Sequence, residues 1–404
     1  MRRAAPLTHF RQPLLHTPFH PRIAALMTTH QWYNWGGYAA ATVIRDEEME
    51  YFALRNTSSL FDISPMVKYR ITGRGAEAYL NRLCVRDVAR LRPGRVHYTA
   101  WCDDAGMVLD DGTLFRLGEN DFRLCCQERH LPWLLESAFG FDVEVREETE
   151  EIAAVSLQGP TSCAILKRAG FENIETMKPF DLRAFPTDGG REPVIVSRTG
   201  FSGDLGYELF VAAADALAVW DLLTTAGEPH GLHAIGFAAL DVARLEAGFI
   251  TCNSDFIAAE HAVEPDRRRS PYEIGLGWLV DLDKAAYFNG RRALAAEKAN
   301  GTSRYVLVRL EIDGNIPADH ALVYSNKHKE VGHVTASAWS PTTKSNLALA
   351  TLHRPYGDTV TDDLWVEIYA QRELVYHRLM MRAHVTKGPF FNPPRRRATP
   401  PADF

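Results

Sequence analysis

Two adjacent carboxylates, Asp110 and Asp111, interrupt a run of residues at 108–117 that otherwise alternates like an apolar β-strand. A charge inside such a run is costly to bury unless it is paired or serves a site. Successive side chains on a strand point to opposite faces, so only one of the two carboxylates can face a given cleft. The earlier pair Asp103 and Asp104 fits a solvated turn. The sequence therefore marks 110–111 as a candidate for chemistry that needs a negative charge beside a reacting centre.

A glycine-rich segment at 197–210, which reads S-R-T-G-F-S-G-D-L-G-Y-E-L-F, is the most informative stretch of the chain. Glycine accepts backbone angles that other residues resist, so this loop can close tightly around a flat ligand. Phe201 offers a ring face for stacking, and Glu208 offers two acceptor oxygens to paired N–H donors. A reduced pterin ring presents such a donor pair. The alternative interpretation is a glycine-rich β-hairpin without a ligand.

Strand-then-helix units recur along the chain and must position these residues. Strand patterns at 67–71, 153–157 and 208–211 are each followed by apolar residues at helical spacing. Beyond about residue 300 the pattern changes to short alternating runs separated by turn residues, which is typical of a small all-β barrel. The patterns predict an α+β fold with mainly antiparallel sheets and a small C-terminal β-barrel.

The glycine-rich segment closely resembles the S-R-T-G-[YF]-[ST]-G-[ED]-x-G-[YF]-E signature of the glycine-cleavage T-protein family, the folate-dependent one-carbon transferases. Four further segments are similar to family motifs and follow in the family order: L-F-D-I-S-P-M at 60–66, L-D-V-A-R-L-E-A-G at 240–248, S-P-Y-E-I-G-L-G-W at 270–278 and K-A-A-Y-F-N-G-R at 284–291. The resemblance covers residues 17–393, and the shared order makes it far more specific than any single motif.

The resemblance implies three domains that form a ring around a central cleft holding tetrahydrofolate. We expect four segments: the first part of the folate-binding module at 17–150, its second part with the glycine-rich loop at 151–300, the β-barrel at 301–393, and a disordered tail at 394–404. The tail is expected to be solvated because its sequence, P-R-R-R-A-T-P-P-A-D-F, is biased towards proline and arginine.

Residue roles follow from the matched motifs. The resemblance implies that Glu208 fixes the pterin, that Tyr98 and Phe201 clamp it, that Met66 packs against it, and that Asp111 lies beside folate N5 and the transferred carbon. For Tyr98, a cross-strand aromatic in the core is the alternative interpretation.

Other positions near these motifs receive weaker assignments. His97 and Trp101 are candidates for the substrate side of the cleft, although a lone histidine on a strand is more often a satisfied surface group. Glu50 and Arg55 occupy the positions of the family's E-x-x-x-x-R helix and are expected to form a structural ion pair.

Three departures from the family pattern bear on the reaction. Leu240 stands where the family has an arginine of the active-centre charge set, Pro65 stands where it has a histidine, and Gly112 replaces a leucine. The segment N-S-D at 253–255 resembles the corresponding segment of folate-dependent demethylases such as dimethylsulfoniopropionate demethylase. The sequence thus predicts an enzyme that moves a methyl group from a small N-, S- or O-methylated substrate to tetrahydrofolate, with no lipoyl carrier protein as partner.

Two alternatives come from other branches. One is an aminomethyltransferase of the glycine cleavage system, which works with a lipoyl protein; Leu240 and Pro65 count against it. The other is a non-catalytic folate-binding scaffold, whose branch carries a K-G-C-[YF]-x-G-Q-E signature. The segment 284–291 contains no cysteine, which counts against the scaffold.

Composition excludes several other classes. A formal net charge of −6 argues against nucleic acid as a partner. The absence of any run of about 18 apolar residues predicts no membrane span. The six cysteines lack C-x-x-C spacing, which is typical of a reduced, cytoplasmic protein. His230 and His233 are spaced like a metal pair, but no cysteine or carboxylate motif completes a site, so no metal is expected.

Overall fold

The computed structural model describes residues 13–187 and 192–400. Its α-helices are α1 (His20–Leu26), α2 (Glu47–Asn56), α3 (Ala76–Leu83), α4 (Leu131–Ser137), α5 (Ser162–Arg168), α6 (Ala216–Gly227), α7 (Phe237–Ala247) and α8 (Arg291–Asn300). No helix in these ranges combines the length and the apolar character that crossing a membrane requires.

The strands fall into a hairpin, two sheets and a barrel. They are β1 (Gln31–Trp35), β2 (Tyr38–Val43), β3 (Ser58–Asp62), β4 (Val67–Thr72), β5 (Arg95–Cys102), β6 (Val108–Gly118), β7 (Asp121–Cys126), β8 (Glu144–Glu147), β9 (Ile152–Gln158), β10 (Leu182–Phe185), β11 (Val194–Ser197), β12 (Gly206–Ala212), β13 (Leu232–Ala234), β14 (Tyr305–Ile312), β15 (Leu322–Ser325), β16 (Lys329–Ser340), β17 (Ser345–His353), β18 (Leu364–Arg372) and β19 (Val375–Thr386).

The first sheet has the order β5-β6-β7-β4-β8, and its neighbouring strands are antiparallel. Helix α3 covers one face because its buried residues recur at helical spacing. Tyr79, Leu80 and Leu83 are fully buried there against Tyr69 and Leu114 of the sheet. This strand-then-helix unit was predicted from the apolar spacing, and the structure confirms it.

The second sheet has the order β10-β11-β12-β9-β3-β13. Strand β3 comes from the first part of the chain and pairs antiparallel with β9 of the second part, so the two parts share one sheet. The pairing of β13 with β3 is parallel. One core cluster joins α5 and α6 to this sheet, and a different cluster joins α2 and α7 to it.

The two sheets meet through inward-facing aromatic side chains. Phe115 of β6 contacts Phe210 of β12, with ring centroids 5.1 Å apart. Asp111 lies on the same face of β6 as Phe115, and Glu208 lies on the same face of β12 as Phe210, because side chains alternate along a strand. The candidate carboxylates therefore belong to strand faces that are turned towards each other.

The C-terminal domain is a closed antiparallel barrel with the order β14-β17-β16-β15-β18-β19. Its interior is an apolar cluster built from alternate strand positions, among them Leu310, Val323, Val334, Ala350 and Val366. Closure leaves the barrel without a free edge. The predicted α+β fold with antiparallel sheets and a small C-terminal barrel is confirmed.

Glu246, at the end of α7, ties three parts of the fold together. Its carboxylate accepts from Arg55 Nε at 2.8 Å and from Ser340 Oγ of the barrel at 2.5 Å, and it also accepts from Tyr51. The expected ion pair between Glu50 and Arg55 is not formed. Residues five apart do not face each other on a helix, and Glu50 instead accepts backbone N–H groups, including that of Ile44 at 2.8 Å.

The tail that was expected to be solvated from residue 394 is packed on the protein as far as the structure describes it. Arg395 donates to both carboxylate oxygens of Asp204, at 2.6 and 2.8 Å, and Arg198 donates to the carbonyl of Ala398. The composition of the tail did not reveal this, because its partner Asp204 lies 191 positions away in the glycine-rich loop. Residues 401–404 lie outside the described residues.

We expect Arg395→Ala to lower the free energy of unfolding by about 1–3 kcal/mol, the usual range for a charge-assisted hydrogen bond. Asp204 is fully buried, whereas Arg395 is partly exposed, so the loss falls on a buried carboxylate. Asp204 keeps Arg55 at 3.3 Å, which limits the damage. Chemical denaturation measures the change. Arg397→Ala, at an exposed position in the same segment, is the matched control, and an equal effect in both variants contradicts the assignment.

Candidate active site

Glu208 projects from β12 at the end of the glycine-rich loop. Thr199 Oγ1 donates to Glu208 Oε2 at 2.5 Å, and no described residue donates to the other carboxylate oxygen, Oε1. The residue is half-buried, and burial raises the pKa of its carboxyl group above the ordinary value. Glu208 therefore presents an oriented carboxylate with acceptor capacity to spare.

Close packing of Gln158 explains two glycines of the loop. A Cβ atom at Gly200 or Gly206 would lie 2.0 or 2.1 Å from Gln158 Oε1. Gln158 also accepts from Ser202 Oγ at 2.8 Å, which fastens the loop to β9. These glycines allow a close approach between loop and side chain, which holds Glu208 and Phe201 at opposite ends of a fixed loop.

Phe201 and Met66 are both partly buried against the same apolar cluster, which also contains Leu240 of α7. The Phe201 ring stacks on Phe249, with centroids 5.6 Å apart and planes inclined by 23°. The structure thus brings these two predicted contact residues to one apolar wall beside the glycine-rich loop.

Tyr98 and Asp111 are joined by a hydrogen bond across β5 and β6, with Tyr98 Oη donating to Asp111 Oδ2 at 2.6 Å. Burial, followed by the charge of Asp110, raises the pKa of Asp111 to about 7. Burial, followed by the charge of Asp111, raises the pKa of the Tyr98 hydroxyl well above its usual range. Asp111 can therefore hold or release a proton near neutral pH, while Tyr98 remains a donor.

Asp110 points to the opposite face, as the strand period predicted, and is fully buried. It accepts from the backbone N–H of Asp111 at 2.8 Å and of Glu128 at 3.0 Å, and it lies 3.1 Å from His130 Nε2. His130 Nδ1 lies 2.6 Å from Glu260 Oε1. Although burial opposes protonation, these two carboxylates raise the pKa of His130.

His130 was not predicted from the sequence. It lies 20 positions from Asp110, and nothing in its spacing marks it as a partner. His130, Asp110 and Glu260 form a network that holds the backbone at Asp111, because the backbone N–H of Asp111 donates to Asp110 Oδ1.

His97 and Trp101, which were expected on the substrate side, do not join Asp111 in the structure. Both alternate with Tyr98 along β5 and therefore lie on the other strand face. Trp101 is fully buried in the core of the first sheet, with its ring at right angles to His130. Burial lowers the pKa of His97 to about 4, which keeps its imidazole neutral.

Gly112 reflects a close approach of two backbones. A Cβ atom at this position would lie 2.2 Å from the carbonyl oxygen of Cys125 on β7. A leucine, which the family pattern has here, therefore requires a different bend of β6. Strand packing next to Asp111 therefore explains the replacement.

The surroundings of Leu240 are apolar and aromatic. Leu240 is 4% exposed, and Phe237 one turn earlier contacts Tyr33 of β1, with ring centroids 5.4 Å apart. Tyr33 also stacks loosely on Trp35, at 6.4 Å. Burial, followed by the charges of two nearby carboxylates, raises the pKa of Tyr33. An aromatic wall with acidic neighbours thus occupies the corner where the family pattern has a cation.

Arg244, the cation that remains in the motif at 240–248, is paired with two carboxylates. It lies 2.7 Å from Asp241 and 2.5 Å from Asp255, and Asp255 in turn accepts from Thr335 of the barrel at 2.6 Å. Arg244 is therefore a structural link between α7 and the barrel and not a free positive charge in the cleft.

Within 13–187 and 192–400, no group of three or more histidine, cysteine or acidic side chains is arranged to hold a metal ion. His233, one of the two histidines with metal-like spacing, is exposed, and its Nδ1 lies 3.0 Å from the carbonyl oxygen of Gly231.

The fold combines a two-part α+β module, which carries a glycine-rich loop, with a small closed barrel, as the resemblance to the folate-dependent one-carbon transferases implies. Comparisons with known proteins agree. Residues 15–284 match the GCVT N-terminal domain, and residues 305–392 match the glycine cleavage T-protein C-terminal barrel domain. The chain belongs to the glycine-cleavage T-protein family, whose enzymes are tetrahydrofolate-dependent transferases.

Individual relatives differ in activity. The aminomethyltransferase of Bacillus subtilis is 31% identical over 362 residues, which cover 89% of this chain and 94% of the relative. The trimethylamine-oxide aldolase of Ruegeria pomeroyi is 35% identical over 344 residues, which cover 83% of this chain but only 42% of that longer protein. The crystal structure of glycine cleavage system aminomethyltransferase T from Bartonella henselae shares the fold, with a TM-score of 0.80 at 22% identity, covering 94% of this chain and 99% of that one.

Proposed function

We propose that the protein transfers a methyl group from a small N-, S- or O-methylated substrate to tetrahydrofolate, without a lipoyl partner. The observation that supports this proposal best is the apolar corner at Leu240. A buried leucine among partly buried aromatic side chains favours a small, weakly polar methylated group over an anion-rich carrier interface. The six unpaired, buried thiols suit a cytoplasmic setting.

The residues present fit tetrahydrofolate as the acceptor. Glu208 keeps Oε1 and the second lone pair of Oε2 for the paired N–H donors of a pterin, and Thr199 fixes the orientation of the carboxylate. Phe201 and Met66 supply the apolar contacts on the same wall. When bound, tetrahydrofolate supplies N5 as the nucleophile that accepts the methyl group.

Asp111 and Tyr98 are placed for the proton that this transfer must move. In the proposed transfer, the bond from the methyl carbon to its N, S or O atom would break as the bond to the acceptor nitrogen forms, and that nitrogen would give up one proton. With a neutral donor the proton would pass to the leaving atom. With a cationic donor the leaving group would depart neutral, and the proton would pass to Asp111 and then to solvent. A carboxyl group with its pKa near 7 can hold that proton at Asp111 Oδ1, while Tyr98 keeps Oδ2 in place. Asp111 also offers negative charge to a cationic methyl donor.

Aminomethyl transfer from a lipoyl protein is the second candidate. It is favoured by the near full-length match to an enzyme named aminomethyltransferase. The two reactions release different folates, methyl-tetrahydrofolate in one case and methylene-tetrahydrofolate with ammonia in the other, so product analysis separates them.

The test is incubation of the purified protein with tetrahydrofolate and a panel of methylated amines, sulfonium compounds, thioethers and aryl methyl ethers, with mass detection of the folate product. We expect 5-methyltetrahydrofolate from at least one small donor in the absence of any carrier protein. Aminomethylated lipoyl protein is assayed in parallel. Faster formation of methylene-tetrahydrofolate from that carrier than from every small donor would overturn the proposal and make Leu240 a neutral replacement.

A further inference from the structure

A surface cavity of about 600 Å³ is lined by residues that follow α3, by residues 278–283 and by α8, and its lining includes no residue of the glycine-rich loop. Three cationic side chains, those of Arg86, Arg90 and Lys298, contribute to its lining, and the ring of Trp278 forms part of its wall. Two acidic residues, Asp281 and Asp283, complete the set of charged groups. The lining therefore carries an excess of one positive charge in a protein whose net charge is −6.

Arg86 is a half-buried cation without a carboxylate partner among the described residues. Its side chain is half-buried, and within the described residues no carboxylate lies within 4.0 Å of it. Its Nη1 donates to the carbonyl oxygen of Tyr98 at 3.0 Å, and burial lowers the pKa of the guanidinium. A partly desolvated guanidinium without a counter-ion has unused donors, and these favour an anion in the adjoining space.

The position of Arg86 is held by a buried lysine. Lys284 Nζ donates to the carbonyl oxygen of Arg86 at 3.1 Å and to that of Cys84 at 2.6 Å. This ammonium group anchors the backbone after α3, so the guanidinium starts from a fixed point. A fixed cation binds a carboxylate with a smaller loss of conformational freedom than a mobile one.

The other cations differ in how far they are paired. Arg90 lies 3.1 Å from Asp87 and 3.8 Å from Asp281, so much of its charge is compensated. Lys298 is exposed on α8, and no ion pair within the described residues involves it. Arg86 and Lys298 thus supply the uncompensated positive charge of the cavity.

Two residues of the cavity lining contact Tyr98, the hydrogen-bond partner of Asp111. The Trp278 ring, 67% exposed, lies 6.2 Å from the Tyr98 ring, and Tyr98 donates to Asp111 at 2.6 Å. Arg86 donates a hydrogen bond to the backbone carbonyl oxygen of the same tyrosine. The Trp278 ring and the Arg86 guanidinium therefore both lie next to the tyrosine that is hydrogen-bonded to Asp111.

We propose that this cavity is a carboxylate-binding subsite of the active site, with Arg86 as its principal cation; the proposal rests on the proposed folate-dependent function. Two ligands carry the required chemistry: the γ-linked glutamate tail of folate, and a methyl donor that bears its own carboxylate. Guanidinium groups bind carboxylates through two parallel hydrogen bonds, which Lys298 supplements as a point charge.

The experiment compares Arg86→Gln and Lys298→Glu with wild type, with Arg86→Lys as the charge-conserving variant and Arg92→Ala as the control. Arg92 is exposed near Arg90 but does not line the cavity. Lys298→Glu changes an exposed side chain, so it reports on the cavity even if the Arg86 variants fold poorly. Calorimetry gives the affinity for tetrahydrofolate with one and with five glutamates. Steady-state assays give KM for methyl donors with and without a carboxylate.

If the folate tail is the ligand, both variants weaken binding of the pentaglutamate about five- to tenfold and leave the monoglutamate nearly unchanged. If the donor is the ligand, KM rises about fivefold for carboxylated donors alone. Arg86→Lys should retain part of either effect. Unchanged values in both arms, with wild-type folate binding intact, overturn the subsite. If the wild-type protein does not bind tetrahydrofolate, the proposed function is contradicted, and the subsite is tested with free penta-γ-glutamate. Binding of this peptide that Lys298→Glu weakens supports the subsite. No binding of the peptide overturns the subsite.

Discussion

Replacing Asp111 with asparagine is expected to lower turnover roughly 100-fold or more, the usual scale for losing a proton-transferring or charge-stabilising group at a reacting centre. Asparagine preserves the shape of the side chain and can still accept from Tyr98, but it can neither carry a negative charge nor take up a proton. Folate affinity, measured by calorimetry, should change much less, because Glu208, the carboxylate proposed to pair with the pterin, lies on β12 and is unaltered.

The pH dependence provides a second readout of the same substitution. Folding raises the pKa of Asp111 to about 7, so the anionic fraction grows as the pH rises through that value. If the anion is the active form, wild-type turnover increases over this range and the asparagine variant loses the dependence.

A carboxyl group whose pKa is raised on folding destabilises the protein as the pH rises, so Asp111→Asn should be at least as stable as wild type above pH 7.

Asp110→Asn is the matched control for this prediction. Asp110 accepts two backbone N–H groups and contacts His130 on the far side of the strand, so its replacement should act mainly on the free energy of unfolding. Urea denaturation and turnover are measured on both variants. A larger loss of turnover in Asp110→Asn than in Asp111→Asn, at comparable stability, would show that the assignment is displaced by one residue.

The contrast between these two aspartates shows what the sequence can reveal. The strand period predicts that they face opposite ways, because it follows from local backbone geometry. The partner of Asp110 does not follow from any local rule, since His130 reaches it only after β6 and β7 have paired. The same strand period, applied to β5, places His97 and Trp101 on the face opposite Tyr98, so local geometry already separates them from Asp111.

Long-range ion pairs are the other part of the fold that could not be predicted from the sequence. Arg55 was expected to pair along its own helix, yet its partner Glu246 lies 191 positions away on α7. Arg395 was assigned to a solvated tail for the same reason, because its composition resembles a linker and its partner Asp204 is remote. The role of the glycines, unlike that of the long-range ion pairs, could be predicted from the sequence. The glycines of the glycine-rich loop predicted a tight local structure, and the packing of Gly200 and Gly206 on Gln158 is consistent with it.

Glu208→Gln should weaken tetrahydrofolate binding at least tenfold. The proposed contact pairs a carboxylate with two N–H donors of the pterin, and glutamine presents one acceptor and one donor in the same place, which leaves a ligand N–H unpaired in a closed pocket. The expected cost is about 2–4 kcal/mol, on the scale of charge-assisted hydrogen bonds. Calorimetric titration measures it directly, since 1.4 kcal/mol corresponds to a tenfold change in Kd.

Two further variants show whether that loss is specific to the pterin contact. Thr199→Val removes the hydroxyl group that donates to Glu208 at 2.5 Å but keeps the carboxylate, so it should weaken binding only severalfold. Glu172→Gln makes the same chemical change at an exposed position outside the loop and should leave Kd unchanged. The loss of affinity should be largest for Glu208→Gln, smaller for Thr199→Val and absent for Glu172→Gln. This order is expected only if Glu208 contacts the ligand and Thr199 acts by orienting Glu208. Equal affinities in all three would remove the pterin assignment and leave the loop as a glycine-rich hairpin.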